Sequence, residues 1–199
     1  MMKLATAMTI LGVNLWAGQP IQDAPGVTVC LMGAWKDTLS VYHALSFASR
    51  MYSQIGVTID WHSNGNPCSA PEAVNIELTD RTPATLLPGA LAYALVPYKG
   101  IHIRVFLDRV QDAVNAETRP YLLAHVLVHE IGHVLQGDSR HSETGVMKAH
   151  WTTEDYNHMA FRPLTFTAED LVLIHKGIKE RTPWILAKKA RAETGSAEI

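Results

Sequence analysis

The stretch from Pro120 to Gly137, PYLLAHVLVHEIGHVLQG, carries the strongest structural signal in the sequence. Proline suits the first turn of a helix, where its missing N–H costs nothing, and glycine suits the residue after the last turn. Between them, apolar residues recur at helical spacing, namely Leu122, Leu123, Val126, Leu127, Val134 and Leu135. We therefore expect a helix that begins at Pro120 and ends at Gly137.

This helix contains the motif His129-Glu130-Ile131-Gly132-His133. Two histidines four residues apart lie one turn above each other, so both imidazoles can reach the same cation. Glu130 directly follows the first histidine, where its carboxylate can take a proton from a metal-bound water. A purely structural zinc site would not need this glutamate. The motif thus predicts a catalytic zinc with His129 and His133 as ligands and Glu130 as the base.

Chance is a weak explanation for the motif. Ten histidines and ten glutamates among 199 residues give an expectation of about 0.02 occurrences of H-E-x-x-H. His125 lies one turn earlier on the same side of the helix. Three histidines along a straight helix span about 12 Å, which is too far for all three to bind one ion. We expect His125 to support the ligand side chains without binding the ion itself.

A catalytic zinc needs a third protein ligand and one open position. His141 is the nearest histidine after Gly137, and we predict it as the third ligand. Asp138 and Glu143 are alternatives, because zinc also accepts carboxylate oxygens. Both are more ordinarily explained as solvated turn residues.

From His129 to His141 the sequence resembles the metzincin clan of zinc peptidases, whose pattern is H-E-x-x-H-x-x-G-x-x-H. The glycine in that pattern turns the chain back toward the metal. Here Gly137 comes one residue later and His141 two residues later, so the turn must absorb two additional residues. Residues 144–147, TGVM, are similar to the Met-turn that lies beneath the metal in that clan, with Met147 as its methionine.

Several metzincins carry a tyrosine two residues after this methionine, where it can assist the transition state. Ala149 occupies that position here. His150 and Tyr156 are nearby in the sequence and are candidates to stabilise an oxyanion instead.

The resemblance implies an α+β fold of the zincin type, with a mixed twisted sheet, a covering helix, the H-E-x-x-H helix and a C-terminal helix. It also implies a zinc-dependent endopeptidase with one catalytic Zn²⁺ that acts on peptide or protein substrates. Two alternatives stay open. One is a zincin in which Glu154 or Glu169 replaces His141 as ligand, and the other is a module that binds zinc or peptide without turnover.

The residues before this helix predict strands. Val27 to Leu31 is apolar and β-branched, and residues 57–62 and 74–78 alternate between apolar and polar. Leu91–Val96 and Ile101–Leu107 predict a hairpin, one strand of which could bind an extended substrate along the cleft.

A helix is expected between the first two strands, capped by Asp37 and ended by Gly56. Its apolar residues predict the buried side, and they are Leu39, Tyr42, Leu45, Met51 and Ile55. A strand, a long helix and another strand in this order favour parallel pairing, whereas a hairpin adds an antiparallel pair. We therefore expect a mixed sheet.

The C-terminal part predicts one more helix, which Thr167 and Asp170 cap and which ends before Pro183. Residues 27–182 would then form one catalytic domain and residues 183–199 a polar tail.

Residues 1–17 contain one lysine, Lys3, followed by a mostly apolar run. This arrangement is typical of a short secretory signal. This predicts a secreted or periplasmic protein. The alternative is a buried N-terminal segment of a cytoplasmic protein. The run is too short to span a bilayer, so we expect no membrane anchor.

Composition excludes other classes. The net charge of -2 and the 47% of hydrophobic residues are ordinary for a soluble globular protein. We expect a monomer. The densest basic group, Lys188, Lys189 and Arg191, lies in the polar tail, so no nucleic-acid partner is predicted. Cys30 and Cys68 would be able to pair in an exported protein, and packing is the alternative.

Overall fold

The computed structural model describes residues 26–63, 68, 72–86, 88–95 and 102–195, with side chains described as far as Arg181. The predicted signal segment at residues 1–17 and the hairpin connection at residues 97–100 lie outside the described residues.

Within the described part of the chain, five strands form one mixed sheet. They are β1 (Gly26–Gly33), β2 (Thr58–His62), β3 (Val74–Thr79), β4 (Ala92–Leu95) and β5 (His102–Phe106). Their spatial order is β2-β1-β3-β5-β4, in which the first four are parallel and β4 pairs antiparallel to β5 at the edge. The predicted strands, the hairpin pairing and the mixed character of the sheet are confirmed.

The described residues also form five helices. They are α1 (Thr38–Ser53), α2 (Leu107–Ala113), α3 (Arg119–Gln136), α4 (Thr153–His158) and α5 (Ala168–Gly195). The sequence analysis predicted α1, α3 and α5, but it did not anticipate the short helices α2 and α4. Its end for α5 is wrong, because the helix continues through Pro183 to Gly195. A proline inside a helix removes one hydrogen bond, at a cost of about 3 kcal/mol, and need not end the helix.

Helix α1 begins as predicted, since the Asp37 side chain accepts a hydrogen bond from the Ser40 backbone N–H at 3.1 Å. The predicted buried side is partly wrong: Leu39 and Tyr42 are 66% and 58% exposed. Helical spacing instead places the following buried side chains on the face that packs against α3: Val41, Ala44, Leu45, Ala48 and Tyr52.

Helix α3 lies at the centre of the molecule, where it packs against α1, α5, β4 and β5. Every residue from Leu122 to Leu135 is buried, including the six apolar residues that the sequence predicted for this helix. Helix α3 therefore has no broad solvent-facing stripe. Burying polar side chains is costly unless they find partners, so the histidines and the glutamate of α3 require an explanation.

Cys30 in β1 and Cys68 form a disulfide, with their Cα atoms 5.8 Å apart. The pairing alternative is therefore the correct one for these two residues. In the part of the chain that is described, no helix combines the length and apolar character needed to cross a membrane.

Candidate metal centre

Helix α3 carries His129, Glu130 and His133, and its end brings the following chain back toward them. Gly137 adopts φ 70°, a left-handed conformation that suits glycine, and its N–H donates to the His133 carbonyl at 2.9 Å. The Asp138 N–H donates to the same carbonyl at 3.3 Å. The chain thus reverses directly after the helix.

The rings of His129 and His133 are oriented by backbone carbonyls. The Nδ1 atom of His129 donates to the Val146 carbonyl at 2.8 Å, and that of His133 donates to the Asp138 carbonyl at 3.0 Å. These bonds leave the two Nε2 atoms as lone-pair donors, 3.0 Å apart. Two imidazole nitrogens on one tetrahedral zinc are expected about 3.3 Å apart. The observed pair therefore suits a shared ion.

His141 completes this group, although the turn before it is two residues longer than in the metzincin pattern. One ring nitrogen of each histidine lies within 4.8 Å of those of the other two. The His141 ring centroid lies 5.3 Å from that of His129 and 4.9 Å from that of His133. In the described part of the chain, His129, His133 and His141 are the cluster of metal-ligating side chains that could hold an ion.

The four carboxylates considered as alternative ligands are used elsewhere or lie outside this cluster. Asp138 accepts from the Arg140 backbone N–H at 3.2 Å, and Glu143 is exposed. Glu169 forms an ion pair at 2.6 Å with Arg140, and Glu154 lies 4.0 Å from His158. None of the four belongs to the group that could hold an ion.

The pKa of each of the three histidines is lowered, which favours the uncharged form that metal ligands need. Burial lowers the pKa of His129 to about 4, despite the opposing hydrogen bond to Val146. Burial also lowers the pKa of His133 and of His141. The site therefore offers neutral imidazoles at pH 7.

Glu130 is buried beside these histidines. Burial raises its pKa to about 8, because a carboxylate loses its hydration there. A divalent cation held by the histidines would oppose this shift, since positive charge favours the ionised carboxylate.

The three histidines and Glu130 line an open cleft of about 510 Å³. Residues 88–94, which include most of the edge strand β4, form one wall, and α3, the turn after it and residues 148–156 contribute the rest. The lining side chains include Leu91, Tyr93, Val126, Lys148, Trp151 and Tyr156.

A tight turn at residues 145–148 lies under the histidines. Gly145 adopts φ 79°, and a Cβ atom there would stand 2.2 Å from the Thr165 carbonyl oxygen. Met147 is fully buried, and its Sδ atom lies 2.6 Å from the place where a Cβ of Gly132 would be. The turn therefore packs directly against α3, and its Val146 carbonyl orients His129.

The His125 ring is held by the backbone at both of its nitrogens. Its Nε2 atom accepts from the Leu164 N–H at 3.1 Å, so Nδ1 carries the proton and donates to the Tyr121 carbonyl at 2.7 Å. Burial lowers its pKa to about 4. The ring centroid of Trp151 lies 6.2 Å from that of His125 and 5.6 Å from that of His129. Trp151 thus connects His125 to His129.

His150 and Tyr156 both line the cleft, as does Ala149. The Tyr156 hydroxyl forms no hydrogen bond with any other described residue. Burial, assisted by the charge of Asp155, raises the pKa of Tyr156, so its hydroxyl keeps its proton. The structure thus places a phenol donor on the cleft wall.

Sequence reasoning missed two residues that shape this site. Trp151 forms part of the wall and touches His129, but nothing in its sequence context distinguishes it. Asp170 was seen only as a helix cap, although it also reaches the residues around His141.

Comparison with solved structures identifies the fold. The chain is similar to the crystal structure of archaemetzincin from Methanopyrus kandleri, with a TM-score of 0.53 and 16% identity over 80% of this chain and 98% of that one. The fold is of the metzincin-like zincin type. The structure of myroilysin also matches, at 14% identity over 75% of this chain and 66% of that one, but its TM-score of 0.35 supports no conclusion. No protein-family model matches the sequence, and neither does any curated protein.

Proposed function

We propose that this protein is a zinc-dependent endopeptidase of the metzincin type. The observation that carries the proposal is the meeting of three neutral histidines with Glu130 in an open cleft beside an edge strand. A zinc site with only a structural role is normally closed by four protein ligands. Three ligands, an adjacent carboxylate and an open side favour catalysis.

His129, His133 and His141 would hold the ion through their ring nitrogens. Zinc bound there would supply Lewis acidity, which polarises a scissile carbonyl and makes water a stronger acid. The backbone bonds to Val146 and Asp138 fix two of the rings before any ion binds. Segment 144–147 serves as the Met-turn in this proposal, with Met147 packed against Gly132.

Glu130 transfers the proton. Its carboxylate accepts a proton from the attacking water and then delivers it to the nitrogen of the leaving amine, which needs one proton to depart. The position of Glu130, next to a ligand and on the cleft wall, supports this role.

Strand β4 binds the substrate main chain. One side of β4 pairs with β5, and β4 is the last strand in the sheet. An extended peptide can add to such an edge by backbone hydrogen bonds and so lie along the cleft. The cleft is lined by Ala92, Tyr93 and Ala94 of β4, so a peptide added to this edge would lie in front of the histidines.

Tyr156 stabilises the oxyanion in this proposal. Ala149 has no side-chain donor, whereas the Tyr156 hydroxyl lies on the cleft wall and is not engaged by another described residue. His150 is the second candidate on the same wall.

The disulfide between Cys30 and Cys68 supports an exported protein, because disulfides persist in oxidising compartments. We propose a secreted or periplasmic location on this basis.

A second candidate function is a module that binds zinc or peptide but does not hydrolyse it. Ala149 favours it, because the position at which several metzincins carry a tyrosine lacks a hydroxyl here.

Hydrolysis of a diverse peptide mixture by the zinc-loaded protein distinguishes the two functions, with cleavage products read by mass spectrometry. The matched control is Glu130→Gln, which keeps the size of the side chain and the metal ligands but removes the base. We expect cleavage by the wild type, a loss of at least about 100-fold in Glu130→Gln, and no activity in a chelator. Zinc binding at one ion per chain without any cleavage would support the non-catalytic module.

A further inference from the structure

His141 differs from the other two histidines in how it is held. The rings of His129 and His133 each donate to a backbone carbonyl. Neither ring nitrogen of His141 forms a hydrogen bond with another described residue, and the side chain is exposed. An unbraced imidazole on a turn would lose side-chain entropy on binding an ion. Something other than a bond to its ring must therefore hold it in place.

The residues on both sides of His141 are held firmly. The Arg140 guanidinium forms an ion pair with Glu169 at 2.6 Å and donates to Asp170 Oδ1 at 3.4 Å. The Ser142 hydroxyl donates to the same oxygen at 2.7 Å and accepts from Arg140 at 3.0 Å. Side chains at the start of α5 thus bind the residue directly before His141 and the residue directly after it.

Asp170 links these contacts to the start of α5 through its two carboxylate oxygens. Oδ2 accepts from the Thr167 N–H at 2.9 Å and from the Thr167 hydroxyl at 2.7 Å, which caps α5. Oδ1 takes no part in the cap and faces Arg140, Ser142 and Gln136.

The carboxylate of Asp170 is 0% exposed, so each oxygen depends on these donors. Burial alone would raise its pKa, but hydrogen bonds from Ser142 and Thr167 outweigh burial and lower it. Capping alone does not account for this arrangement, because Asp155 caps α4 in the same way without being fully buried.

We propose that Arg140, Ser142, Glu169 and Asp170 form a clamp that positions His141 and thereby sets the affinity of the proposed zinc site. The clamp substitutes for the ring hydrogen bond that His141 lacks. It also restrains the segment from His133 to His141, which is two residues longer than the metzincin pattern and so has more conformations to lose. The inference rests on the proposed zinc site.

The test measures the zinc dissociation constant by competition with a chelator for wild type, Arg140→Met and Ser142→Ala. Arg119→Met is the matched control, because Arg119 also pairs with a helix-capping aspartate, Asp37, at 3.1 Å, but is not adjacent in sequence to a proposed ligand. The melting temperature of each metal-free protein is recorded in excess chelator. The absorption spectrum of each cobalt-loaded protein reports whether the number of ligands has changed.

We expect Arg140→Met and Ser142→Ala to weaken zinc binding about 10- to 100-fold, as changes to the supports of metal ligands do. Arg119→Met should bind zinc like the wild type. Ser142→Thr, which keeps the hydroxyl, should restore most of the affinity lost in Ser142→Ala. The cobalt spectra of the two clamp variants should change, and that of Arg119→Met should not.

Clamp variants that bind zinc within twofold of the wild type would overturn the clamp and leave the proposed function standing. An equal loss of affinity in Arg119→Met would also overturn it, because the effect would then follow from general destabilisation. A wild-type protein that binds no zinc would overturn the proposed function and the clamp together.

Discussion

Replacing Gly145 by alanine should damage both stability and the site, and the cost follows from two separate contacts. Gly145 adopts φ 79°, and an alanine in the left-handed region costs about 1–2 kcal/mol. Its Cβ atom would also stand 2.2 Å from the Thr165 carbonyl oxygen, so the backbone must shift, which adds about 1–3 kcal/mol. We therefore expect a loss of about 2–5 kcal/mol in the free energy of unfolding.

Gly56→Ala is the matched control, because Gly56 adopts φ 72° but has no atom within 4 Å of the new Cβ. It should lose only the backbone contribution of about 1–2 kcal/mol. Urea unfolding of the metal-free proteins measures both losses. Zinc affinity should fall only in Gly145→Ala, since the adjacent Val146 carbonyl orients His129. Equal free-energy losses in the two variants, with unchanged zinc affinity, would refute this reasoning.

Three further predictions concern single side chains. His141→Ala should lose most of its zinc in metal analysis, whereas Asp138→Ala and Glu143→Ala should keep it; near-full retention in His141→Ala would remove it from the ligand set. Tyr156→Phe should lower kcat by about tenfold or more with little change in KM or zinc content, and an unchanged kcat would move the role to His150. Asp170→Asn should unfold more easily at pH 7. Because the pKa of Asp170 is lowered in the folded state, its stabilisation is complete above the ordinary value of 3.8 and is lost as the pH falls below it. The difference between variant and wild type in urea titrations should therefore shrink in acid, and a constant difference would contradict this account.

Local signals in the sequence predicted helix α3, because its start, its end and its metal motif are properties of consecutive residues. Pro120 lies in the first turn and Gly137 caps the end, as expected. The strands of the sheet were also predicted, since alternation and β-branched runs are local patterns. The buried side of α1 could not be predicted from a local pattern, because the position of α3 decides which residues of α1 pack against a neighbour.

Short helices and the end of α5 escaped prediction for related reasons. Helices α2 and α4 have seven and six residues, which is too short to show a helical period. Helix α5 continues past Pro183, although proline usually ends a helix. Proline within a helix lowers its stability but does not prevent it from forming.

The sequence by itself determined the candidate metal motif: two histidines one turn apart with a glutamate between them, on a helix whose ends are marked. The tertiary structure decided which further residues join them. His141 reaches the pair because Gly137 reverses the chain, and Trp151 and Asp170 reach the site from segments 18 and 37 residues beyond His133. Spacing along the chain says little about such meetings, because they depend on how α5 and the turn at Gly145 pack against α3.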